Sequence, residues 1–397
     1  MELSRRCMQV VGSLTLAIDA KAKQMKAEGL DVVGFGAGEP DFSAPDFVLD
    51  AAREAIDKKL TKYTPAEGTL ELRKAICAHL LKMNGIEYKP GEIVVSNGAK
   101  HSLYNSFTAL LNPGDEVVIP APYWVSYPEM VKMAGGIPVF VEGREENGFR
   151  ITAESLEKAV TPKTKAIVIN SPSNPCGTVY GRDELVQFAQ TAQKHDLAIV
   201  ADDIYQEIIY DMDPPKSIAS LGEDARERTI LVNGLSKSAA MTGWRIGYTA
   251  SNAKIAKLMA NYQSHATSNP NSIAQYAAVA ALTGPQEDLK RMVGEFDRRR
   301  KYMFTRINQI PLLSCILPQG AFYVMLNISQ LFGKKSQGRL ISDSMTFTES
   351  LLEEKMVAVV PGVGFGAEGY VRLSYATSME TIQKGLDRIG EYVNALE

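Results

Sequence analysis

The stretch "TILVNGLSKSAAMTGWRIGY", Thr229 to Tyr248, decides the fold, because an apolar strand here runs directly into a cluster of small residues around one lysine. That lysine is Lys237, and Trp244 and Arg245 follow close behind it. Most lysines are solvated, but a lysine at the end of a buried strand can lose its water, and its pKa then falls. Such an amine can form a Schiff base with a carbonyl compound. The stretch therefore predicts a reactive lysine at a strand end.

The same pattern, an apolar run followed by a polar or glycine-containing cluster, recurs elsewhere in the chain. The other clusters are Ser96–Lys100, Ala121–Trp124, Asn170–Thr178 and Asp202–Tyr205. Helix-like stretches lie between the runs, among them His101–Leu111 and the amphipathic Arg182–His195. Alternating strands and helices predict a mainly parallel sheet that is buried on both faces. Because ligands bind beyond the carboxyl ends of such strands, we expect all five clusters to share one functional edge.

Changes of pattern along the chain predict an arm and two domains. Residues 1–45 are expected to form a helix-bearing arm without a core of its own, and residues 46–284 the large sheet domain. Residues 285–397 are expected to form an interdomain helix and a small C-terminal domain. The stretch 286–310 is predicted to be one long charged helix, and strand-like runs follow it. We expect the arm to pack against this smaller α+β unit.

Bulk composition excludes several function classes. The 397 residues include 43 basic and 46 acidic side chains, and a net charge of −3 argues against nucleic acid or a membrane as main partner. No apolar run approaches the ~18 residues of a membrane-spanning helix. The four cysteines and four histidines have no metal-ligand spacing, so we expect buried, unpaired thiols and no metal. A cytoplasmic protein with small-molecule substrates is the expectation.

One glycine motif is a decoy. Residues Gly364–Gly369 match G-x-G-x-x-G, the fingerprint of dinucleotide binding. That fingerprint requires a helix after the glycines, whose N-terminus faces the pyrophosphate. The strand-like "YVRLSYA" follows here instead, so we expect a structural turn.

The residues expected at the shared edge suit one cofactor. Asp202 ends the most apolar strand, and a buried carboxylate requires a cationic partner such as a protonated pyridine nitrogen. A pyridinium–carboxylate pair is what makes pyridoxal phosphate an electron sink. Tyr205 and Asn174 are placed to hydrogen-bond a ring hydroxyl, and Trp124 to stack on the ring face.

The phosphate of this cofactor requires backbone amides and positive charge. The helix start that follows "SNG" offers such amides, because the N-terminus of a helix attracts anions. Arg245 would add charge and Ser236 a hydroxyl. Together with Lys237, these groups predict a site for pyridoxal phosphate.

Six motifs carry a resemblance to a known family. They are, in chain order, "GAGEPDF", "YWVSYPEM", "NSPSNPCG", "ADDIY", "NGLSK…MTGWRIGY" and "RLSYAT", and they span nearly the whole chain. With them the sequence resembles the fold-type I, pyridoxal-phosphate-dependent aminotransferases of the aspartate aminotransferase family. It is most similar to the bacterial branch that includes aspartate/prephenate aminotransferases. The resemblance implies an α/β fold: a mainly parallel, seven-stranded sheet in the large cofactor domain, and a smaller α+β domain built from both termini.

The resemblance also implies roles for single residues. Lys237 would form the Schiff base with pyridoxal phosphate and move a proton at the substrate α-carbon. Asp202 would hold the pyridine nitrogen, with Asn174 and Tyr205 on the ring hydroxyl. The other residues implied at the cofactor, most of them at its phosphate, are Gly98, Ala99, Lys100, Trp124, Ser236 and Arg245.

Substrate binding and assembly are implied in the same way. Arg372, in "VRLSYA", matches the arginine that takes the substrate α-carboxylate by a bidentate fork. Gly38, Trp124 and Asn174 would line the substrate pocket. Tyr63, in "KYTPAEG", matches the tyrosine that reaches the phosphate in the partner subunit. A homodimer with shared active sites is the implied assembly.

Two departures from the family pattern bear on specificity. Many relatives have a serine where this chain has Gly234, so phosphate binding is expected to depend more on Ser236. The stretch Asn261–Pro270 lacks the partner-subunit arginine that the animal and enteric aspartate enzymes use for the distal carboxylate. Lys100 and Thr15 instead resemble the acidic-substrate contacts of the bacterial branch. The alternatives are a solvated helix-start lysine and an ordinary arm residue.

We expect a ping-pong transfer of an amino group between L-aspartate or L-glutamate and a 2-oxo acid. The acceptors are 2-oxoglutarate or oxaloacetate, and prephenate stays open. A β-lyase on the same fold, or an aminotransferase of aromatic or other specificity, is the alternative. A cofactor-sensing regulator is disfavoured, because the arm is short and the chain is not basic.

Overall fold

Helices and strands alternate along the chain in the computed structural model, which describes residues 2–12 and 14–397. The α-helices are α1 (Arg5–Met8), α2 (Leu14–Ala27), α3 (Asp46–Asp57), α4 (Leu70–Asn84), α5 (Ala99–Leu110), α6 (Ser126–Met133), α7 (Ala153–Ala159), α8 (Arg182–Lys194), α9 (Glu223–Arg228), α10 (Ala253–Ala266), α11 (Ser272–Thr283), α12 (Glu287–Ile307), α13 (Ser344–Lys355) and α14 (Met379–Asn394). The β-strands are β1 (Val33–Gly34), β2 (Ile93–Asn97), β3 (Glu116–Ala121), β4 (Ile137–Glu142), β5 (Thr164–Asn170), β6 (Ala198–Asp202), β7 (Thr229–Gly234), β8 (Ile246–Ala250), β9 (Tyr323–Asn327), β10 (Lys335–Ser336), β11 (Arg339–Leu340), β12 (Val357–Ala358), β13 (Val360–Pro361) and β14 (Tyr370–Ser374).

The large sheet has seven strands in the order β2-β8-β7-β6-β5-β3-β4. Strand β8 runs antiparallel to both of its neighbours, and the other six strands point in one direction. The predicted α/β class, with a mainly parallel sheet, is therefore confirmed.

Apolar side chains alternate between the two faces of this sheet, because successive residues of a strand point to opposite sides. On one face, Val168, Val200 and Val232 belong to a core that the buried face of α5 completes. On the other face, Ile167 and Ile199 pack in a second core with residues of α8. Burial on both faces explains why the central strands read as continuous apolar runs.

Five strands deliver the predicted clusters to one edge. Strands β2, β3, β5, β6 and β7 all end at the same edge of the sheet. The register aligns Asn170 with Asp202, and Asp202 with Val232. The last residues of neighbouring strands therefore lie side by side, as the sequence predicted.

Both ends of the chain contribute to a second, smaller α+β unit. Strand β1 pairs in parallel with β12, and β13, β14 and β9 form an antiparallel sheet. Helix α2 packs its Ala22 against Val32, Leu352 and Ala358. The arm also reaches the large sheet domain, because α1 lies against α6 and the Val11 amide donates to the Glu129 carboxylate over 3.0 Å. The charged helix predicted over residues 286–310 is α12.

The decoy motif is a turn, as expected. A short 3-10 helix covers Gly362–Phe365, and β14 begins at Tyr370, so no helix follows the glycines. The Phe365 carbonyl accepts a hydrogen bond from the Tyr123 amide over 3.0 Å. The turn thus ties the small unit to the loop after β3.

The four cysteines differ in their exposure to solvent. All four cysteines are free thiols, but Cys7 is exposed and Cys77 is only half-buried, so the expectation of buried thiols is confirmed for Cys176 and Cys315 and is wrong for the other two. Cys7 lies in the arm, which has little core of its own. Among the helices described, none is both long and apolar enough to cross a membrane.

Candidate active site

A cavity of about 540 Å³ opens at the shared edge of the large sheet. Of the fourteen site residues that the sequence predicts, twelve line this cavity. These twelve are Thr15, Gly38, Ala99, Lys100, Trp124, Asn174, Asp202, Tyr205, Ser236, Lys237, Arg245 and Arg372. Residues more than 300 positions apart therefore meet in one hollow.

Lys237 lies in this cavity directly after β7. Its ammonium group donates a hydrogen bond to the Gly38 carbonyl and lies 5.8 Å from the centroids of the Tyr205 and Phe322 rings. Burial lowers the pKa of Lys237 to about 8, against the opposing effect of the Glu39 carboxylate. A lysine poised near neutrality can release its proton to become a nucleophile or a base.

Asp202 is the last residue of β6 and is only 3% exposed. The Tyr127 hydroxyl donates to its Oδ2 over 2.6 Å, and the Ile204 amide donates to Oδ1 over 3.2 Å. Burial raises the pKa of Asp202 to about 6, although both hydrogen bonds and Lys237 oppose this rise. A buried carboxylate with spare lone pairs is suited to a cationic partner.

The N-terminus of α5 forms an anion cradle with Arg245. The N-cap residue Gly98 has φ +87°, and a side chain there would clash with the Arg245 guanidinium. Arg245 donates to the Thr242 carbonyl over 3.0 Å and to the Asn97 carbonyl over 3.3 Å. Unpaired backbone amides and a guanidinium thus share one corner of the cavity, which suits a phosphate.

Arg372 is 2% exposed and projects from β14. It donates over 3.0 Å to Asn174 Oδ1 and over 3.0 Å to the Gly36 carbonyl. Its guanidinium lies 4.4 Å from the Tyr323 ring centroid and 5.1 Å from that of Phe365. No group in the described part of the chain accepts a hydrogen bond from its buried Nε. An unpaired buried donor is costly, and a carboxylate ligand would satisfy it.

Lys100 and Thr15 also line the cavity. The Lys100 ammonium lies 4.9 Å from the Trp124 ring centroid, within the range of a cation–π contact. Partial desolvation and the charge of Arg245 hold the pKa of Lys100 below its ordinary value. Within the residues that the structure describes, the buried Thr15 hydroxyl has no hydrogen-bond partner. A cation and an open hydroxyl together offer a second place for an anionic group.

Comparison with known proteins identifies the family. Residues 30–389 match the family described as aminotransferase class I and II. The chain belongs to that family. The match covers both the large sheet and most of the small unit of this aminotransferase, so it includes every cavity residue from Gly36 onward.

Close relatives span the whole length of the aminotransferase. It is 49% identical to the aspartate aminotransferase of Bacillus subtilis over 99% of both chains. It is 45% identical to the aspartate/prephenate aminotransferase of Nitrosomonas europaea, over 99% of this chain and 100% of that one. The crystal structure of the Rhizobium meliloti aspartate aminotransferase superposes with a TM-score of 0.97 at 42% identity, covering 100% of both chains. The fold of the family is therefore present throughout.

Two predicted residues of the aminotransferase do not line the cavity. Gly98 lies just behind it, against Arg245. Tyr63 lies in the loop before α4 with 92% of its surface exposed, so it contributes nothing to the cavity within one chain.

Close strand pairing explains why position 234 is a glycine. A side chain on Gly234 would approach the Ile246 carbonyl to 2.8 Å and Gly247 Cα to 2.9 Å, because β7 and β8 pair closely here. A serine at this position would require β8 to shift. The buried Ser236, by contrast, lines the cavity.

Tyr127, Tyr323 and Glu39 are among the cavity residues that sequence reasoning missed, and each of them makes a side-chain hydrogen bond in the site. Tyr323 shares a hydrogen bond of 2.9 Å with the Tyr205 hydroxyl, and Glu39 accepts one of 2.7 Å from Thr242. A signal existed for Tyr127, since it stands three residues after Trp124 and hence one helical turn away. For Tyr323, on a buried strand, the sequence offers no signal that separates it from core aromatics.

Metal ligands are not assembled in the part of the chain that the structure describes. No group of three or more His, Cys, Asp or Glu side chains in residues 2–12 and 14–397 could hold a metal ion.

Proposed function

We propose that this protein is an aspartate aminotransferase that holds pyridoxal phosphate in the cavity and moves an amino group between L-aspartate or L-glutamate and a 2-oxo acid. One observation carries the proposal: a desolvated lysine, a buried carboxylate and a buried arginine with an unpaired donor line a single cavity. Relatives of nearly half identical sequence over the full length are aspartate aminotransferases, which supports it.

The cavity residues fit pyridoxal phosphate. Buried Asp202 would hold the ring nitrogen, and it accepts two donors while lone pairs remain for a third. Trp124 would stack on the ring, and Asn174 and Tyr205 would hold the ring hydroxyl. The amides of Ala99 and Lys100, with Ser236 and Arg245, would hold the phosphate. Pyridoxal phosphate, when bound, supplies an electron sink for the electrons released at the substrate α-carbon.

Lys237 supplies the proton chemistry of the proposed reaction. Burial makes its amine neutral in a large fraction of molecules near pH 8, so it can take a proton from the substrate α-carbon and return one. The Gly38 carbonyl holds the nitrogen from the side of the small unit.

Arg372 would bind the substrate α-carboxylate. Its guanidinium is held by Asn174 and Gly36 and flanked by Tyr323 and Phe365, so its plane is fixed before substrate arrives. The unpaired Nε would donate to a carboxylate oxygen. A prepositioned arginine fork orients the α-carbon toward Lys237.

Lys100 and Thr15 would bind the side-chain carboxylate of the substrate. The side-chain carboxylate of aspartate needs a cation and a hydrogen-bond donor, and these two residues provide both within the cavity. Oxaloacetate and 2-oxoglutarate carry the same carboxylate and are the expected acceptors. Prephenate is the third acceptor to test, because relatives of 45–46% identity are aspartate/prephenate aminotransferases.

A homodimer with shared active sites belongs to the same proposal. Tyr63 is 92% exposed in a single chain and lies outside its own cavity. In a dimer, its hydroxyl would reach the phosphate held at the start of α5 in the other subunit. The site is therefore complete only when two copies associate.

The test uses purified protein with added pyridoxal phosphate, aspartate and 2-oxoglutarate. We expect a visible absorption band of the bound cofactor and formation of glutamate. Lys237→Ala should lose nearly all glutamate formation, whereas Lys254→Ala, an exposed lysine on α10, should keep it. Protein that shows no visible band after addition of the cofactor would contradict the proposal.

The same incubation separates transamination from bond cleavage. A β-lyase would release ammonia and a pyruvate-like product without requiring 2-oxoglutarate. Glutamate formation that depends on 2-oxoglutarate, with no ammonia, is the result we expect.

A further inference from the structure

Tyr127 is buried at the cavity and contacts both Trp124, which would stack on the cofactor ring, and Asp202, which would pair with the ring nitrogen. It lies in the first turn of α6, and its amide donates to the Trp124 carbonyl over 3.0 Å. Its ring packs edge-to-face against the Trp124 indole, with centroids 5.3 Å apart. Its hydroxyl ends at Asp202 Oδ2, 2.6 Å away. The Tyr127 side chain therefore bridges the Trp124 indole and the Asp202 carboxylate.

The direction of this hydrogen bond is fixed by chemistry. Burial, with the Asp202 charge beside it, holds the pKa of Tyr127 well above its ordinary value. The phenol therefore keeps its proton and donates a hydrogen bond to the carboxylate. The Ile204 amide donates to the other oxygen, so each oxygen of Asp202 has one protein donor. This arrangement orients the carboxylate plane and leaves room for one more donor.

We infer that Tyr127 is a positioning residue, which orients Asp202 and stabilises its ionised form so that the carboxylate can pair with the ring nitrogen of the cofactor. The inference rests on the cofactor binding proposed above. Burial works against the ionised form of Asp202, and Tyr127 supplies the strongest opposing hydrogen bond. Hydrogen bonds to charged groups contribute more than neutral ones, so loss of this donor should be measurable.

The other ionisable groups around Asp202 define what else could produce a pH effect. They are Asp203 and Tyr205, which follow Asp202 directly after β6, and Lys237, which follows β7. Tyr205 is buried and bonded to Tyr323, and its pKa stays well above the ordinary value. Lys237 and Asp203 are unchanged by a substitution at Tyr127, so comparison with wild-type protein isolates the contribution of the phenol.

The test measures the affinity of cofactor-free protein for pyridoxal phosphate from pH 5 to 9, by quenching of tryptophan fluorescence. Tyr127→Phe keeps the ring and removes only the donor. We expect its affinity to fall about tenfold near pH 6 and to approach the wild-type value at pH 9, where the carboxylate ionises without help. Tyr392→Phe removes a buried hydroxyl of the small unit, which donates to Ser350 over 2.8 Å, and should leave the curve unchanged.

A double-variant cycle separates positioning from general stability. In the Asp202→Asn background, Tyr127→Phe should cause no further loss of affinity, because the ionised carboxylate is already absent. Equal losses at every pH, or additive losses in the double variant, would overturn the inference. Thermal unfolding of the cofactor-free variants checks folding. If wild-type protein itself fails to bind the cofactor, the proposed function fails, whereas wild-type binding with an unaltered Tyr127→Phe curve refutes only the role of Tyr127.

Discussion

The Lys237 ammonium group donates a hydrogen bond to the carbonyl of Gly38, although 199 positions separate the two residues in the sequence. Lys237 follows a strand of the large sheet, whereas Gly38 follows the strand that pairs with β12 of the small unit. The Lys237 amine is therefore in contact with groups from both units. The segment Gly36–Glu39 lines the cavity beside this amine, and the Glu39 carboxylate acts on its pKa.

The charge of Glu39 should set the pH at which Lys237 reacts. Burial lowers the pKa of Lys237 to about 8, and Glu39 acts in the opposite direction. The amine is mostly protonated below pH 8, so the rate of cofactor uptake should rise through pH 8 and level off above it. Glu39→Gln removes the negative charge and should move this inflection to lower pH. Stopped-flow absorbance from pH 6 to 10 measures both curves, and coincident inflections would contradict the prediction.

Replacement of Arg372 by lysine should damage substrate binding selectively. Arg372→Lys keeps the charge but loses the planar fork and the bonds to Asn174 and Gly36. We expect kcat/KM for aspartate to fall by two to three orders of magnitude, or about 3–4 kcal/mol, with cofactor affinity retained. The control is Arg306→Lys, at a surface ion pair with Asp387. Full activity of Arg372→Lys would refute the carboxylate assignment.

The acidic-substrate contacts are tested by a pair of substrates. Lys100→Ala and Thr15→Val should each lower kcat/KM for aspartate by about tenfold or more, because a charge-assisted bond is lost. Phenylalanine carries no side-chain carboxylate, so its kcat/KM should change little. Steady-state kinetics with both substrates decide the matter. If Lys100→Ala loses both activities equally, the lysine does not read the acidic side chain.

Mixed dimers test the shared site at Tyr63. Homodimers of Tyr63→Ala and of Lys237→Ala should each have low activity at limiting pyridoxal phosphate. A mixed dimer of the two variants contains one site with both residues intact, so about half of the wild-type activity should return. Differently tagged subunits allow its purification. Absence of recovery in a confirmed mixed dimer would show that Tyr63 does not act across the interface.

Asp203 should make stability depend on pH. It is 5% exposed, and burial raises its pKa to about 7, against the opposing effect of the Ser217 hydroxyl. Because the folded pKa is raised, the stability that this group contributes is complete below about pH 4 and is lost as the pH rises through 7. Asp203→Asn should therefore gain about 2–4 kcal/mol over wild type between pH 5 and 8. Calorimetric melting at both pH values measures this, and parallel melting curves would contradict it.

Much of the fold could be read from local pattern. Apolar runs such as Ile167–Ile169 can be satisfied only by a strand buried on both faces, and each is followed by a helix-like stretch. That alternation determines a mainly parallel sheet, and a parallel sheet brings the ends of its strands to one edge. The sequence alone therefore predicts that Lys237, Asp202 and Asn174 lie close together, because their positions after strand ends are a local property.

What the sequence could not decide is how groups from different parts of the chain meet. Three features arise from packing between elements far apart in sequence. They are the hydrogen bond from Tyr127 to Asp202, the unpaired Nε of Arg372 and the hydrogen bond from Lys237 to the Gly38 carbonyl. Patterns of apolar residues report which face of an element is buried, but they carry no information on which distant atom it meets. Tertiary packing therefore decided the desolvation of the lysine and the partners of each charge, and these set the chemistry of the cavity.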